Sequence, residues 1–198
     1  MRIITGTAKG CNLKTPKGMS TRPTSDRVKE SLFSILGGDT GGRVLDVFAG
    51  TGALGLEALS RGADSCVFID KATADIISFN AEHTRLSDRC RVLKGDVFAL
   101  LHRLAGQGER FDLVFCDPPY HQGLAHRVLE QLDKGDILAP DAIVVVEYGG
   151  DEEALPPVAN LRLVREQIYG RTTRIGFYHL PPEAGRMQNE KSDLPGQL

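Results

Sequence analysis

The feature that most constrains the fold is an alternation of short apolar runs with segments of helical periodicity between residues 43 and 146. The apolar runs predict strands at residues 44–48, 65–69, 91–93, 111–116 and 142–146. The segments between them predict helices at residues 53–61, 73–86 and 97–104, and around 124–132. This alternation is typical of a mostly parallel sheet with helices on both faces. We therefore predict an α/β fold, with residues 161–165 and 171–180 forming an antiparallel hairpin at the sheet edge.

Two further segments flank this predicted domain of residues 39–180. Residues 1–38 are predicted to form an extension, with a small β-hairpin from residues 2–5 and 11–14 followed by a helix. Thr24 or Ser25 can cap the start of that helix, and two glycines at 37 and 38 end it. Residues 181–198 are polar and aperiodic, which predicts a disordered tail.

The charge is distributed unevenly. Residues 1–37 contain seven basic and two acidic side chains, a net +5, whereas the remainder of the chain carries −7. A basic arm on an acidic body favours a polyanionic partner, because lysine and arginine bind phosphates largely irrespective of sequence. A solvated charged face explains the same composition equally well.

Composition adds limits on the class of protein. Hydrophobic residues make up 41% and charged residues 25% of the 198 residues, as is ordinary for a globular protein with one sizeable core. No apolar run reaches the 18 or so residues of a membrane span. The four cysteines are scattered, without a CxxC pair or histidines at ligand spacing, so neither a disulfide framework nor a metal site is expected. These features predict a cytoplasmic protein with reduced cysteines.

Ligands of parallel α/β sheets bind beyond the carboxyl ends of the strands, so the residues after each strand are the candidate site. The first strand leads into a GxGxxG pattern formed by Gly50, Gly52 and Gly55, and glycines there let a ligand approach the backbone closely. Asp70 follows the second strand and is placed to accept hydrogen bonds from a ribose. Together they predict a nucleoside-containing cofactor, either NAD or S-adenosylmethionine. The alternatives are a structural turn for the glycines and a helix cap near Ala72 for Asp70.

Two other aspartates favour S-adenosylmethionine. Asp46 lies in the turn region, where its carboxylate would repel a pyrophosphate but would suit the cationic amino-acid end of the methionine moiety. Asp96 follows the third strand and is placed to accept from an adenine amine, although it is equally suited to cap the next helix.

The apolar strand 111–116 ends abruptly at Asp117-Pro118-Pro119-Tyr120. With VLDVFAGTGALGLEAL, FID and GD, in this order, DPPY resembles class I (Rossmann-like) methyltransferases that act on exocyclic amines. MRIITGTAKG and RPTSDRVKESLF closely resemble the bacterial 16S rRNA guanine-N2 methyltransferases, the RsmD family, and the likeness covers roughly residues 1–180. Asp70 and Thr51 depart from the Glu and Ser of many relatives, but both keep a hydrogen-bonding group.

The resemblance implies a function and a set of site residues. It implies methyl transfer from S-adenosylmethionine to guanine N2, with 16S rRNA or the assembling small ribosomal subunit as partner. We expect the chain to be a monomer. The implied cofactor site consists of Asp46, Phe48, Ala49, Gly50, Thr51, Gly52, Asp70 and Asp96. A methyltransferase for another exocyclic amine, such as adenine N6 in DNA or RNA, remains an alternative, as do an NAD-dependent oxidoreductase and a non-catalytic RNA-binding assembly factor.

The Asp117 motif predicts how the amine is held. The Asp117 carboxylate and the Pro118 carbonyl can each accept one amine N–H, and Tyr120 can stack on the base. A carboxylate near its reference pKa of about 4 is too weak to deprotonate the amine beforehand, but it can take the proton after methyl transfer. The alternative is a proline-stiffened turn that only ends a strand.

Four residues of the basic extension are the predicted RNA contacts. They are Arg22, Thr24, Arg27 and Lys29. A purely structural role for this segment is the alternative.

Overall fold

The computed structural model describes residues 1–16 and 26–182. Its helices are α1 (Asp26–Ile35), α2 (Ala53–Ser60), α3 (Ala74–His83), α4 (Val97–Gly106) and α5 (Leu124–Lys134). Its strands are β1 (Arg43–Val47), β2 (Ser65–Asp70), β3 (Cys90–Lys94), β4 (Phe111–Cys116), β5 (Leu138–Gly149), β6 (Arg162–Tyr169) and β7 (Thr173–His179). A 3-10 turn, Ser87–Arg89, precedes β3. The predicted alternation of strands and helices is therefore present.

The seven strands form one sheet in the order β3-β2-β1-β4-β5-β7-β6. The pairs from β3 to β5 are parallel, whereas β7 runs antiparallel to both β5 and β6. The predicted edge hairpin thus pairs with the sheet through its second strand. The strand order reverses between β1 and β4. The strands β2 and β3 lie on one side of this point, and β5, β7 and β6 lie on the other. That reversal is where a ligand is expected in an open parallel sheet.

Two apolar layers cover the two faces of the sheet. One contains buried side chains of α1, α2 and α3, including Phe33, Leu56 and Ile77. The other contains buried side chains of α4 and α5, including Leu101 and Leu129. Buried side chains along each strand alternate between the two layers, because successive side chains of a strand point to opposite faces of the sheet. Helices therefore lie on both faces, as predicted.

The N-terminal segment is bound closely to the sheet domain. Its hairpin is shorter than predicted, with one antiparallel bridge between Arg2 and Asn12. Backbone hydrogen bonds flank the bridge, from Ile3 N to Cys11 O at 3.0 Å and from Gly10 N to Ile3 O at 2.9 Å. Ile3 is fully buried in the same apolar layer as α2. Hydrophobic burial therefore joins this segment to the main core.

Several element boundaries differ from the prediction. The largest difference concerns β5, which was predicted at residues 142–146 but runs from Leu138 to Gly149. Its pairing with β4 has a register irregularity between Phe111 and Leu113. Periodicity could not show this extension because Pro140 and Asp141 interrupt the apolar run. Nearly all of the predicted tail, residues 183–198, lies outside the described residues. Among the residues that are described, no helix has the length and apolar character needed to cross a membrane.

Candidate active site

The parallel register brings the ends of four strands to one edge of the sheet. Val47 of β1 pairs with Ile69 of β2 and with Cys116 of β4, and Cys116 pairs with Val146 of β5. The residues that follow these four positions therefore lie side by side. They are the turn 48–52, Asp70, the segment 117–120 and Glu147.

The turn after β1 has a left-handed backbone at three alternate positions. The φ angles are 55° at Phe48, 57° at Gly50 and 77° at Gly52. Only glycine adopts this region without steric cost, so Phe48 is a strained residue at the site. A Cβ placed on Gly50 would meet nothing closer than Phe48 O at 4.0 Å, so the space above this glycine is open. The turn therefore has the open backbone that a ligand approaching closely requires.

Ala49 and Thr51 hold this turn in place. Ala49 N donates to Ile69 O at 3.1 Å, and Ala49 O accepts from Gly52 N at 2.7 Å. Thr51 is buried, and its hydroxyl lies 3.3 Å from the sulfur of Met1. The carbonyl of Thr51 accepts from Asn80 Nδ2 of α3 at 2.9 Å. These contacts give both residues structural roles, and their contact with a cofactor stays a prediction.

Gly55 and Asp46 join β1 to the first turn of α2. A Cβ on Gly55 would lie 2.4 Å from Phe68 Cε1 and 2.6 Å from Cys66 Sγ, so only glycine permits this approach of helix to strand. Gly55 N donates to Asp46 Oδ2 at 2.9 Å. One of the N–H groups that a helix start leaves unpaired is therefore satisfied by a carboxylate, which is also favoured at the positive end of the helix dipole.

The Asp46 carboxyl is almost completely buried. Burial raises its pKa to about 8, the Gly55 N–H opposes that shift, and the neighbouring Asp70 adds to it. A cationic group beside Asp46 would favour the ionised form. The ionised Asp46 carboxylate can then pair with the ammonium group of a methionine moiety. Asp46 is therefore chemically suited to S-adenosylmethionine.

Asp70 connects the glycine turn to α3. Its Oδ2 accepts from Gly50 N at 3.0 Å, and its Oδ1 accepts from Ala72 N at 2.8 Å and Thr73 N at 2.9 Å. The alternative of a cap at the start of α3 is therefore realised. A carboxylate has about four lone-pair positions, so these three bonds leave capacity for a ribose hydroxyl. The ribose contact stays a prediction.

Asp96 shows a similar division of roles. It is the N-cap of α4, and its Oδ1 accepts from Ala99 N at 3.0 Å. The side chain is exposed at the same sheet edge. The capping role is present in the structure, and the contact with an adenine amine stays a prediction.

The segment after β4 begins with a partly buried Asp117, whose backbone N–H donates to Val47 O at 3.5 Å. Pro118 is buried and Pro119 is exposed. Burial raises the pKa of the Asp117 carboxyl well above its ordinary value, and the charges of Glu147 and Asp46 raise it further. The expectation of a pKa near 4 is therefore wrong. It failed because the two acids that face Asp117 are 30 and 71 residues away in the chain.

Tyr120 is fixed by two residues from other strands. Its hydroxyl donates a short hydrogen bond to Glu147 Oε1 of β5, and it lies 3.3 Å from Thr173 Oγ1 of β7. Burial and the Glu147 carboxylate raise the pKa of this phenol. Sequence reasoning missed Glu147, although a lone acid inside the apolar run 142–148 was a usable signal.

The four predicted RNA contacts have different outcomes. Arg22 and Thr24 lie outside the described residues. Arg27 is exposed on α1, so its prediction stands untested. Lys29 is fully buried, with its ammonium 3.2 Å from Glu57 Oε2 and hydrogen-bonded to Arg2 O. The prediction that Lys29 contacts RNA is therefore wrong.

The partners of Lys29 explain its burial. Glu57 of α2 is also fully buried, and it accepts from Ile4 N at 2.8 Å, Thr5 N at 3.0 Å and Arg61 Nε at 2.9 Å. Burial lowers the pKa of Lys29 and the Glu57 carboxylate opposes that shift. A buried charge is tolerated only when paired in this way. Lys29 thus joins the N-terminal segment to α2, and helical spacing alone does not distinguish it from exposed lysines.

Known proteins resemble this chain over most of its length. The family model described as "Conserved hypothetical protein 95" matches residues 1–178. "Putative rRNA methyltransferase YlbH" of Bacillus subtilis is 39% identical over 175 residues, covering 87% of this chain and 95% of that protein. "Ribosomal RNA small subunit methyltransferase D" of Escherichia coli is 38% identical over 175 residues, covering 86% of each.

Solved structures agree with the fold. "Putative methyltransferase yhhF" from Escherichia coli superposes with a TM-score of 0.77 at 36% identity, covering 92% of this chain and 98% of that one. An RNA methyltransferase from Salinibacter ruber, solved with S-adenosyl-L-homocysteine, has a TM-score of 0.59 at 16% identity and supports the fold alone. The family match and the two curated relatives show that this chain belongs to the RsmD family of class I, S-adenosylmethionine-dependent methyltransferases.

Proposed function

We propose that the chain transfers a methyl group from S-adenosylmethionine to the N2 amine of a guanine in 16S rRNA of the small ribosomal subunit. The observation that carries this proposal is the position of Asp117 and Tyr120 beside the glycine turn, at the ends of the paired strands β4 and β1. The curated relatives named for rRNA methylation support RNA as the substrate class. The choice of guanine N2 rests on the resemblance of the whole chain to that family.

When bound, S-adenosylmethionine supplies a methyl group on a positively charged sulfonium, and the C–S electron pair stays on sulfur as the new N–C bond forms. Asp46 is proposed to hold the ammonium group of the methionine moiety, and Asp70 the ribose. The open face above Gly50 lets the cofactor lie close to the backbone. These roles use side chains whose orientation the fold already holds.

The amine side is proposed to work through orientation. An exocyclic amine is a poor nucleophile because its lone pair is delocalised into the ring. Asp117 and the Pro118 carbonyl each accept one N–H and direct the lone pair toward the methyl group. Holding the reacting atoms about 3 to 3.5 Å apart contributes about 7 to 11 kcal/mol to the lowering of the barrier at best.

Proton transfer completes the reaction. Once the nitrogen bears the methyl group it is cationic, and the Asp117 carboxylate takes its proton. The raised pKa of Asp117 makes it a better acceptor than an ordinary aspartate. The positive charge of the methyl donor favours the ionised form that this role needs.

The RNA is proposed to reach the site with its target base unstacked. A stacked base cannot reach a pocket at the end of a strand, so the target nucleotide is unpaired or flipped out. Tyr120 stacks on the extruded base, a contact worth about 1 to 3 kcal/mol. Arg22, Thr24 and Arg27 hold flanking phosphates, without Lys29, which is buried.

Transfer of labelled methyl to ribosomal RNA from cells lacking this protein tests the proposal. Naked RNA and isolated small subunits are incubated with the wild type, and nucleosides are identified by mass spectrometry. We expect N2-methylguanosine in one or both. Methylation of adenine N6 instead would contradict the base assignment, and RNA binding without methyl transfer would favour the non-catalytic assembly factor.

One earlier alternative no longer applies. The GxGxxG pattern by itself also fits NAD, and an NAD-dependent oxidoreductase would leave Asp117 to Tyr120 without a role. Family membership confirms S-adenosylmethionine as the cofactor.

A further inference from the structure

Glu147 is a buried acid inside the otherwise apolar run 142–148, and the proposed mechanism does not use it. It lies on β5 in the run 142–148, between Val146 and Tyr148. A carboxyl group so placed is costly unless it has partners. Its position at the end of the sheet next to Asp117 requires an explanation.

Three segments meet at this carboxyl. Cys116 pairs with Val146, so the next residues along the two parallel strands, Asp117 and Glu147, are neighbours across the sheet. Tyr120, three residues beyond Asp117, turns its hydroxyl back to Glu147 Oε1. Thr173 of β7 lies 3.3 Å from the same hydroxyl. The edge hairpin thus reaches the proposed substrate side of the site.

We propose that Glu147 is a positioning residue for methyl transfer, which holds the Tyr120 hydroxyl and thereby fixes the aromatic ring beside the Asp117 carboxylate. A tyrosine in a loop loses entropy when its ring is held in one orientation. A hydrogen bond to a carboxylate, which is stronger than one between neutral groups, offsets that loss before the base arrives. This inference rests on the proposed function, since it assigns Tyr120 to the target base.

The charge of Glu147 has a second consequence at Asp117. The groups that face Asp117 are Glu147 from β5, Asp46 from β1, and the Cys116 and Tyr120 side chains. Glu147 raises the pKa of Asp117, so replacing it with a neutral side chain lowers that pKa. Because Asp117 accepts a proton in its ionised form, the acidic limb of the kcat profile then moves to lower pH. An acidic limb that does not move would show that the charge of Glu147 does not act on Asp117.

The variants separate the two effects. Glu147→Gln keeps a carbonyl acceptor for Tyr120 but loses the charge, Glu147→Ala loses both, and Tyr120→Phe loses the hydroxyl alone. We expect Glu147→Ala and Tyr120→Phe each to lower kcat about 10- to 100-fold, the range for a lost hydrogen bond to a charged group. Their double variant should be little worse than either, because both remove the same contact.

Glu147→Gln provides the sharper readout. We expect it to retain most of the wild-type kcat at the optimum and to shift the acidic limb of the kcat profile downward. Tyr120→Phe should lower kcat without that shift. The dissociation constant for S-adenosylmethionine, measured by calorimetry, should stay within about twofold in all variants, because the cofactor residues are on other strands. Melting temperatures identify any variant that fails to fold.

A second tyrosine and glutamate supply the matched control. Tyr148 follows Glu147 on β5, so the pleat turns its side chain to the opposite face of the sheet, where its hydroxyl donates to Glu166 Oε1 of β6. Tyr148→Phe and Glu166→Gln should leave kcat and its pH profile unchanged. If the Glu147 and Tyr120 variants behave as these controls do, the inference is wrong even if the wild type methylates guanine.

The substrate result separates this inference from the function on which it rests. If the wild type methylates adenine rather than guanine, the base assignment fails, and the Glu147 variants can be compared on that substrate with the same expectations. If the wild type transfers methyl to no nucleic acid, both the function and the inference are overturned.

Discussion

The turn at residues 48–52 and the segment at residues 117–120 lie at the same sheet edge, yet their polar groups have different partners. On the cofactor side, Asp70 accepts three backbone N–H groups and Asp46 accepts one. On the amine side, Asp117 and Tyr120 face another acid, Glu147. Backbone partners are present whenever the chain is folded, whereas the acidic cluster is stabilised by a cation or by N–H donors from outside. The turn on the proposed cofactor side is therefore held by backbone contacts, whereas Tyr120 on the proposed amine side is held by the side chain of Glu147.

The largest expected effect tests whether the two sides are separable. Asp117→Ala removes the proposed amine acceptor and proton acceptor, so we expect kcat to fall about 10²- to 10⁴-fold. Cofactor binding should be nearly unchanged, because Asp46, Asp70 and the glycine turn keep their backbone partners. Single-turnover methyl transfer and calorimetry with S-adenosylmethionine measure the two quantities. Asp136→Ala, at an exposed aspartate after α5, is the control and should change neither. Unchanged methyl transfer in Asp117→Ala would remove Asp117 from the mechanism.

A second change disturbs only the cofactor side. Gly55→Ala forces a methyl group to within 2.4 Å of the Phe68 ring, and such overpacking costs about 1 to 3 kcal/mol of the free energy of unfolding. The β1 to α2 junction should then shift and weaken cofactor binding. Gly106→Ala, at the end of α4 with nothing within 4 Å of the added Cβ, is the matched control and should be neutral or slightly stabilising. Thermal unfolding with and without S-adenosylmethionine measures both the stability and the cofactor binding of each variant. Equal stability of the two variants would contradict the packing argument.

The raised pKa of Asp46, about 8, predicts a pH dependence of cofactor binding. An acid whose pKa is higher in the folded state than in the unfolded state favours the protonated native form. Asp46 therefore lowers the stability of the cofactor-free protein as pH rises from about 4 toward 8. A cationic ligand favours ionised Asp46, so binding releases a proton below pH 8 and affinity rises up to about tenfold per pH unit.

Calorimetry in buffers of different ionisation enthalpy measures that proton release. Asp46→Asn should bind S-adenosylmethionine more weakly and with a flatter pH dependence than the wild type. A wild-type affinity that does not change between pH 6 and 8 would show that Asp46 does not face the cation.

The smallest expected effect concerns the RNA contacts. Arg27→Ala should weaken RNA binding severalfold and reduce the slope of log K against log salt by about one, because one phosphate contact is lost. The exposed Arg103 of α4 lies on the other face of the sheet, and Arg103→Ala should leave the slope unchanged. Salt-dependent binding to small-subunit RNA provides the measurement. Identical slopes for Arg27→Ala and the wild type would favour a structural role for this helix.

Local sequence patterns determined much of this protein. The alternation of apolar runs and helical segments predicted the sheet, because strand and helix periodicities depend on neighbouring residues. The glycine turn and the strand-ending Asp117 motif were equally readable, since both mark a change of backbone direction. The capping roles of Asp70 and Asp96 were foreseen as alternatives because a cap and its helix are adjacent in the chain.

Tertiary structure alone decided the state of individual side chains. Lys29 has the sequence context of an RNA-binding lysine, but packing of α1 against α2 buries it beside Glu57. Glu147 joins the site only because β4 and β5 are paired and Tyr120 turns back toward them. The pKa of Asp117 depends on burial and on acids far away in the chain. Burial and electrostatic pairing are properties of the folded assembly of strands, and local sequence carries no measure of either.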